Sequence, residues 1–92
     1  MTKFFAACPS PERPMRGFYP TNSHLVVGIG KTADQAQFEG WAIEFPWDEP
    51  DAVVAHECTR EVYEAFQAKG AFEVAVKLVE GVLQLDDMAS AA

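Results

Sequence analysis

Long apolar runs are missing from this 92-residue chain: no stretch of about 18 or more apolar residues occurs, so no segment reads as a membrane-spanning helix. The N-terminus offers only Lys3 before Phe4 and Phe5, without the apolar stretch that a secretory signal needs, and a cytoplasmic location is expected. Cysteine is scarce. Cys8 and Cys58 lie far apart in sequence, and in a reducing compartment they are expected to be two buried free thiols rather than a disulfide. No Cys-x-x-Cys or His-x-x-x-His pair is present. A zinc site would have to be assembled from His24, His56, Cys8 and Cys58 without any of the usual close spacings, so no metal or cofactor is expected.

Two motifs stop short of completion. Gly28-Ile-Gly-Lys-Thr32 ends like a phosphate-binding loop, but the required spacing places another glycine five residues before Gly30, where Leu25 stands. His56-Glu57 begins like a zinc-protease helix, but the position one turn after His56 holds Arg60, a cation where a ligand is needed. For acid–base or nucleophilic chemistry the parts are His24, His56, Glu57 and Cys58, at no spacing that implies convergence, and no enzymatic activity is expected.

Basic residues are few and unevenly placed. Residues 1–31 hold Lys3, Arg13, Arg16 and Lys31 against Glu12, a net of +3, whereas residues 32–92 hold three basic and thirteen acidic residues, a net of −10. Separated signs can orient a protein against a partner that itself carries both.

What is present is ample apolar material, 49% of residues with seven Phe and two Trp, which excludes global disorder. A chain of this size makes one domain, residues 1–92. The pattern predicts an α+β fold, a small antiparallel sheet of about three strands packed against two helices, with a Pro-rich loop at 9–23 and a short tail at 86–92. Lys3 to Cys8 reads as a first strand. Pro9, Pro11, Pro14 and Pro20 then interrupt regular structure. That loop carries Arg13, Arg16, Phe18 and Tyr19, a mixture that either stacks on bases and grips phosphates or folds its aromatics back onto the core. Residues 24–29 and 40–45 read as two strands paired antiparallel, the second with Trp41, Ile43 and Phe45 on one face. Between them Thr32 and Gln35 stand at a capping-box spacing, which allows one helical turn or a long hairpin.

The dominant element is expected to be a helix from Asp48 to Gly70. Asp48 and Pro50 mark its start and Gly70 its end, Val54, Cys58, Val62, Ala65 and Phe66 gather on one side, and Glu57, Glu61 and Glu64 project from another. A second helix is expected over 71–85, with Phe72, Val76, Val79 and Leu83 on its core side. The alternation of Phe72, Val74, Val76 and Leu78 would instead suit a strand. On the helix reading the apolar arc is wide enough to suggest a homodimer or a docking surface.

A small size, no catalytic signature, an acidic half carried on Asp48, Glu49, Asp51, Glu57, Glu61 and Glu64, and a basic segment carried on Arg13, Arg16 and Lys31 make up the profile. In overall type, across the whole chain, it resembles small phage-encoded inhibitors, in particular anti-CRISPR proteins that bind type I surveillance complexes. The resemblance implies a stoichiometric inhibitor without turnover, acting on effector subunits that line a positively charged target-DNA path. The six carboxylates would contact that basic surface, while Arg13, Arg16 and Lys31 would touch guide RNA or an acidic subunit patch. A homodimeric regulatory module and a small metal-dependent enzyme are the alternatives.

Overall fold

A computed structural model of the chain describes residues 2–10 and 24–86. The elements run β1 (Phe4–Pro9), β2 (His24–Leu25), β3 (Gly28–Gly30), α1 (Ala33–Glu44), a 3-10 turn (Pro50–Ala52), β4 (Val53–Cys58), α2 (Arg60–Lys69), β5 (Ala75–Val79) and β6 (Val82–Leu85). The sheet order is β2-β5-β6-β4-β1-β3, antiparallel throughout except for the parallel pair β4–β6. β2 and β3 are two residues apart in sequence yet lie at opposite ends of that order. The Val26 N–H donates to the Val74 carbonyl at 3.0 Å and the Val27 N–H to the Ala7 carbonyl at 2.8 Å. Residues 24–30 therefore act as one bent strand joining both edges, and the result is a five-stranded mixed sheet curled onto itself.

The fold is α+β with two helices, as expected, but the sheet is larger than three strands, one helix is only the second half of the expected 48–70 helix and the other lies at Ala33–Glu44. Residues 48–70 are not one helix. The Asp48-Glu49-Pro50 start signal opens only a 3-10 turn, with Pro50 in its first position. Val53–Cys58 then pairs with β1 over its whole length, from Pro9↔Val53 to Phe4↔Cys58. The helical pattern misled because residues four apart share a face in a strand as well as in a helix, so Val54 and Cys58 fit both periods. The helix proper begins after Thr59, whose Oγ1 accepts from the Val62 N–H at 3.3 Å, and ends where expected, at Gly70 with φ 90°.

Residues 40–44 are the end of α1 and Phe45 is its C-cap, rather than a strand. The Thr32–Gln35 cap is real and nucleates three turns: Thr32 Oγ1 accepts from the Gln35 N–H at 3.1 Å, and Gln35 Oε1 accepts from the Lys31 N–H at 2.9 Å. Residues 71–85 form a hairpin rather than a helix, so the strand alternation was the correct sign. Glu80 and Gly81 take φ of 51° and 84°, the paired positive values of the tight turn that matches strand twist. With that helix gone, its broad apolar arc is gone too. Val74, Val76 and Leu83 are buried in the core, and Leu78 and Val79 are exposed beside the hairpin turn. Of the expected Pro-rich loop at 9–23, Pro9 ends β1 and the Ser10 N–H donates to the Ala52 carbonyl at 2.8 Å; residues 11–23, with Arg13 and Arg16, and the tail apart from Asp86 lie outside the described residues.

Alternate residues of the sheet feed two cores. Ala6, Cys8, Ile29, Cys58, Val76 and Leu83 pack with Val62 of α2, while Ala7, Val27 and Val53 pack with Ala36 of α1 and with Phe45. The α1 side is packed at backbone distance. A Cβ placed on Gly28 would lie 2.5 Å from the Gly40 nitrogen, and one on Gly40 would lie 2.9 Å from Val27 Cγ2. Gly40 in a helix interior costs about 1 kcal/mol relative to Ala, and this close approach is what it permits.

Candidate functional site

The residues expected to form one acidic helical face are split by β4. Asp48, Glu49 and Asp51 precede that strand; Glu57 lies near its end, and Glu61 and Glu64 follow on α2. Six strand residues span roughly 20 Å, so the two groups stand at opposite ends of the sheet. Glu57 is half-buried with its carboxylate 3.7 Å from Lys3 Nζ. Arg60 Nε donates to Glu64 Oε2 at 3.1 Å on the exposed side of α2, a pair worth about 0.3–0.5 kcal/mol. Asp48 Oδ1 accepts from the Glu49 N–H at 2.8 Å.

Lys31, expected in the basic segment, is exposed and stands over two aromatic rings. Its Nζ sits 4.2 Å from the centre of the Phe4 ring and 4.9 Å from that of Tyr63, two rings that are themselves 4.8 Å apart. Arg13 and Arg16 lie outside the described residues.

The incomplete phosphate-loop motif has a structural explanation. Gly28 and Gly30 belong to β3 and face α1, where a Cβ on Gly30 would lie 2.8 Å from the Ala36 nitrogen. At the start of α1 the Gln35 N–H is taken by Thr32 Oγ1 and the Ala36 N–H by the Thr32 carbonyl. The glycines serve helix–strand contact. His56 lies in β4, where residues alternate between faces, so the metalloprotease geometry has no helix to build on. Among the described residues no group of three or more His, Cys, Asp or Glu side chains is placed to hold a metal.

Both cysteines are free and buried. Burial, and then the neighbouring Cys58, pushes the Cys8 thiol up to about 12; burial, and then Glu57, pushes Cys58 up to about 11. At neutral pH each thiol stays protonated, and only the thiolate is nucleophilic. Ellman's reagent is therefore expected to find no fast-reacting thiol at Cys8 or Cys58 in the native protein and both within seconds in denaturant. A fast native reaction at either residue would contradict the burial.

The feature that the sequence reading missed lies on the other side, along α1. With Ala36 and Gly40 turned to the sheet, Phe38 falls on the opposite side of the helix and is 61% exposed. Its ring meets that of half-buried Trp41 edge-on, centroids 6.0 Å apart at 61°. Trp41 Nε1 donates to the Asp48 carbonyl at 2.7 Å, and Gln37 Nε2 donates to the carbonyls of Pro50 and Val53 at 2.9 Å each, so residues 48–53 are strapped against this flank. Within the same connection Trp47 is 73% exposed and packs edge-on to Phe45. Ile43, also exposed, lies on the far flank of the helix, about 140° round from Phe38.

Carboxylates share this stretch of chain with the rings. Residues 32–59 contain Asp34, Glu39, Glu44, Asp48, Glu49, Asp51 and Glu57 and no Lys or Arg. Among the described residues no ion pair reaches Asp34, Glu39 or Glu44. The signal for this surface was in the sequence, but only on a helix running through 33–44: at 100° per residue Ala36 and Gly40 fall together and the bulky Phe38 opposite them. No helix among the described residues is long and apolar enough to cross a membrane. No protein-family model, curated protein or solved structure matches the chain.

Proposed function

We propose that this protein is a stoichiometric binding protein that occupies the cationic, nucleic-acid-handling surface of a larger complex, with a type I CRISPR surveillance complex as the specific candidate. The observation that carries the reading is the makeup of α1 and the connection after it, where exposed aromatic rings and carboxylates share a segment that contains no cation. A surface evolved to attract phosphates offers Lys and Arg that carboxylates can occupy, which speeds encounter and competes with nucleic acid in a salt-dependent way. The aromatic rings supply the desolvated contact area that charge alone does not, since Trp and Tyr with Arg dominate interface energetics. The two acidic groups at opposite ends of β4 would reach different parts of the partner, and the group around α1 is the principal one because it accompanies the rings.

The test is a mobility assay of target DNA on purified effector complex with increasing amounts of this protein. Target DNA is expected to be displaced at near-stoichiometric ratios, with displacement weakening several-fold between 50 and about 300 mM salt as charges are screened. Unchanged DNA binding at a tenfold excess would remove this candidate. Reversing Asp34, Glu39 and Glu44 together to Lys is expected to abolish displacement. Reversing Glu57, Glu61 and Glu64 is expected to weaken it less.

A further inference from the structure

Resting on the binding reading above, we propose that the outer flank of α1, built on Asp34, Phe38 and Trp41, is the docking site and that its occupant is an arginine-rich segment of the partner. The fold forces the rings outward. β3 approaches α1 closely against the small residues Ala36 and Gly40, and a residue two positions from each must point away from that contact. Phe38 has no core to enter.

Charge selects the occupant. Asp34 stands one turn before Phe38 on the same side of the helix, and Glu39 follows it directly. The nearest cation in sequence, Lys31, is engaged over Phe4 and Tyr63. A second copy of this chain would bring Asp34 and Glu39 against their own counterparts, so self-association through this flank is opposed. An uncharged apolar partner would have to strip water from the same carboxylates without pairing them.

Arginine fits both halves of the surface. A guanidinium is planar and stacks on an aromatic face while its N–H fork binds a carboxylate at two points; a lysine ammonium has neither plane nor fork and holds its water more tightly. Trp41 is already immobilised by its bond to the Asp48 carbonyl, so its ring loses little freedom when a partner stacks on it.

Both tryptophans of the chain lie in this region, so indole emission reports directly on occupancy. Titration with nona-arginine is expected to shift that emission and to give an affinity about three- to fivefold tighter than nona-lysine at about 0.15 M salt. Phe38→Ser and Asp34→Asn, both at exposed positions, are each expected to bring nona-arginine down to the nona-lysine level with the circular dichroism unchanged. Equal affinities of the wild-type protein for the two peptides, or an arginine preference that survives both substitutions, overturns the proposal. The mobility assay separates it from the functional reading. If Phe38→Ser protein still displaces target DNA as the wild type does, this site falls and the inhibitor reading stands. If the arginine preference holds but no DNA is displaced, the inhibitor reading falls and the site stands.

Discussion

Gly28→Ala is expected to be the most damaging single-methyl substitution in the domain, costing about 3 kcal/mol or more. The added carbon would sit 2.5 Å from the Gly40 nitrogen, 2.7 Å from the Ala36 carbonyl oxygen and 2.8 Å from the Gly40 Cα. All three are backbone atoms, so no side-chain rotation relieves the clash and α1 itself must move off the sheet. That movement would open the contacts of Ala36 and Phe45 with Ala7, Val27 and Val53. A domain of this length has roughly 5–14 kcal/mol of stability, so the loss is a large share of the whole.

Two other glycines grade the effect. Gly40→Ala meets the ends of side chains first, Val27 Cγ2 at 2.9 Å and Val53 Cγ1 at 3.2 Å, and it gains helix propensity of about 1 kcal/mol, so its net cost is smaller. Gly81→Ala meets nothing within 4 Å and suffers only from its φ of +84°, a cost of about 1–2 kcal/mol. Urea unfolding midpoints should therefore fall in the order Gly28→Ala, then the other two. A Gly28→Ala protein within about 0.5 kcal/mol of wild type would mean that α1 does not approach β3 so closely.

Alkaline pH is expected to unfold the protein through its two thiols. In the unfolded chain a cysteine ionises near 9, whereas the folded environment holds Cys8 near 12 and Cys58 near 11. Because the folded pKa is the higher one, the stabilising contribution is fully present below pH 9 and is lost as pH rises toward the folded values. Each thiol removes at most about 1.4 kcal/mol per pH unit in that window, so the pair would remove roughly 4 kcal/mol between pH 9 and 11. Chemical denaturation at pH 7, 9, 10 and 11 measures this slope. A Cys8→Ala, Cys58→Ala protein should start slightly less stable, because two small buried groups are trimmed, yet lose much less over the same range. Parallel slopes for the two proteins would show that other groups govern alkaline unfolding.

The two predictions draw on different kinds of information. That Cys8 and Cys58 are buried thiols was legible from their scarcity and spacing, and so were β1, the charge asymmetry, the cap at Thr32 and the stop at Gly70. Each depends on the chemistry of one residue or a short run, and a hydroxyl three residues before a free N–H works in the same way wherever the helix ends up. Legible in the same sense was the weakness of the phosphate-loop and zinc motifs, since Leu25 and Arg60 stand where a glycine and a histidine are required.

Tertiary structure decided which period each apolar pattern obeys. Val54 and Cys58 suit a helix and a strand equally, and the choice falls to β1, whose whole length needs a hydrogen-bonding partner that Val53–Cys58 provides. The same holds for Phe72 to Leu85, where pairing of β5 with both β2 and β6 prevails over a plausible helical stripe. Gly28 and Gly40 acquire their meaning only from each other, across a strand and a helix that no local rule brings together. The acidic face read from 48–70 dissolved for this reason, and an aromatic flank on α1 took its place. Caps, charges and buried thiols are properties of short segments and belong to the sequence; the direction a side chain faces depends on what the backbone pairs with, and that is settled only when the sheet closes.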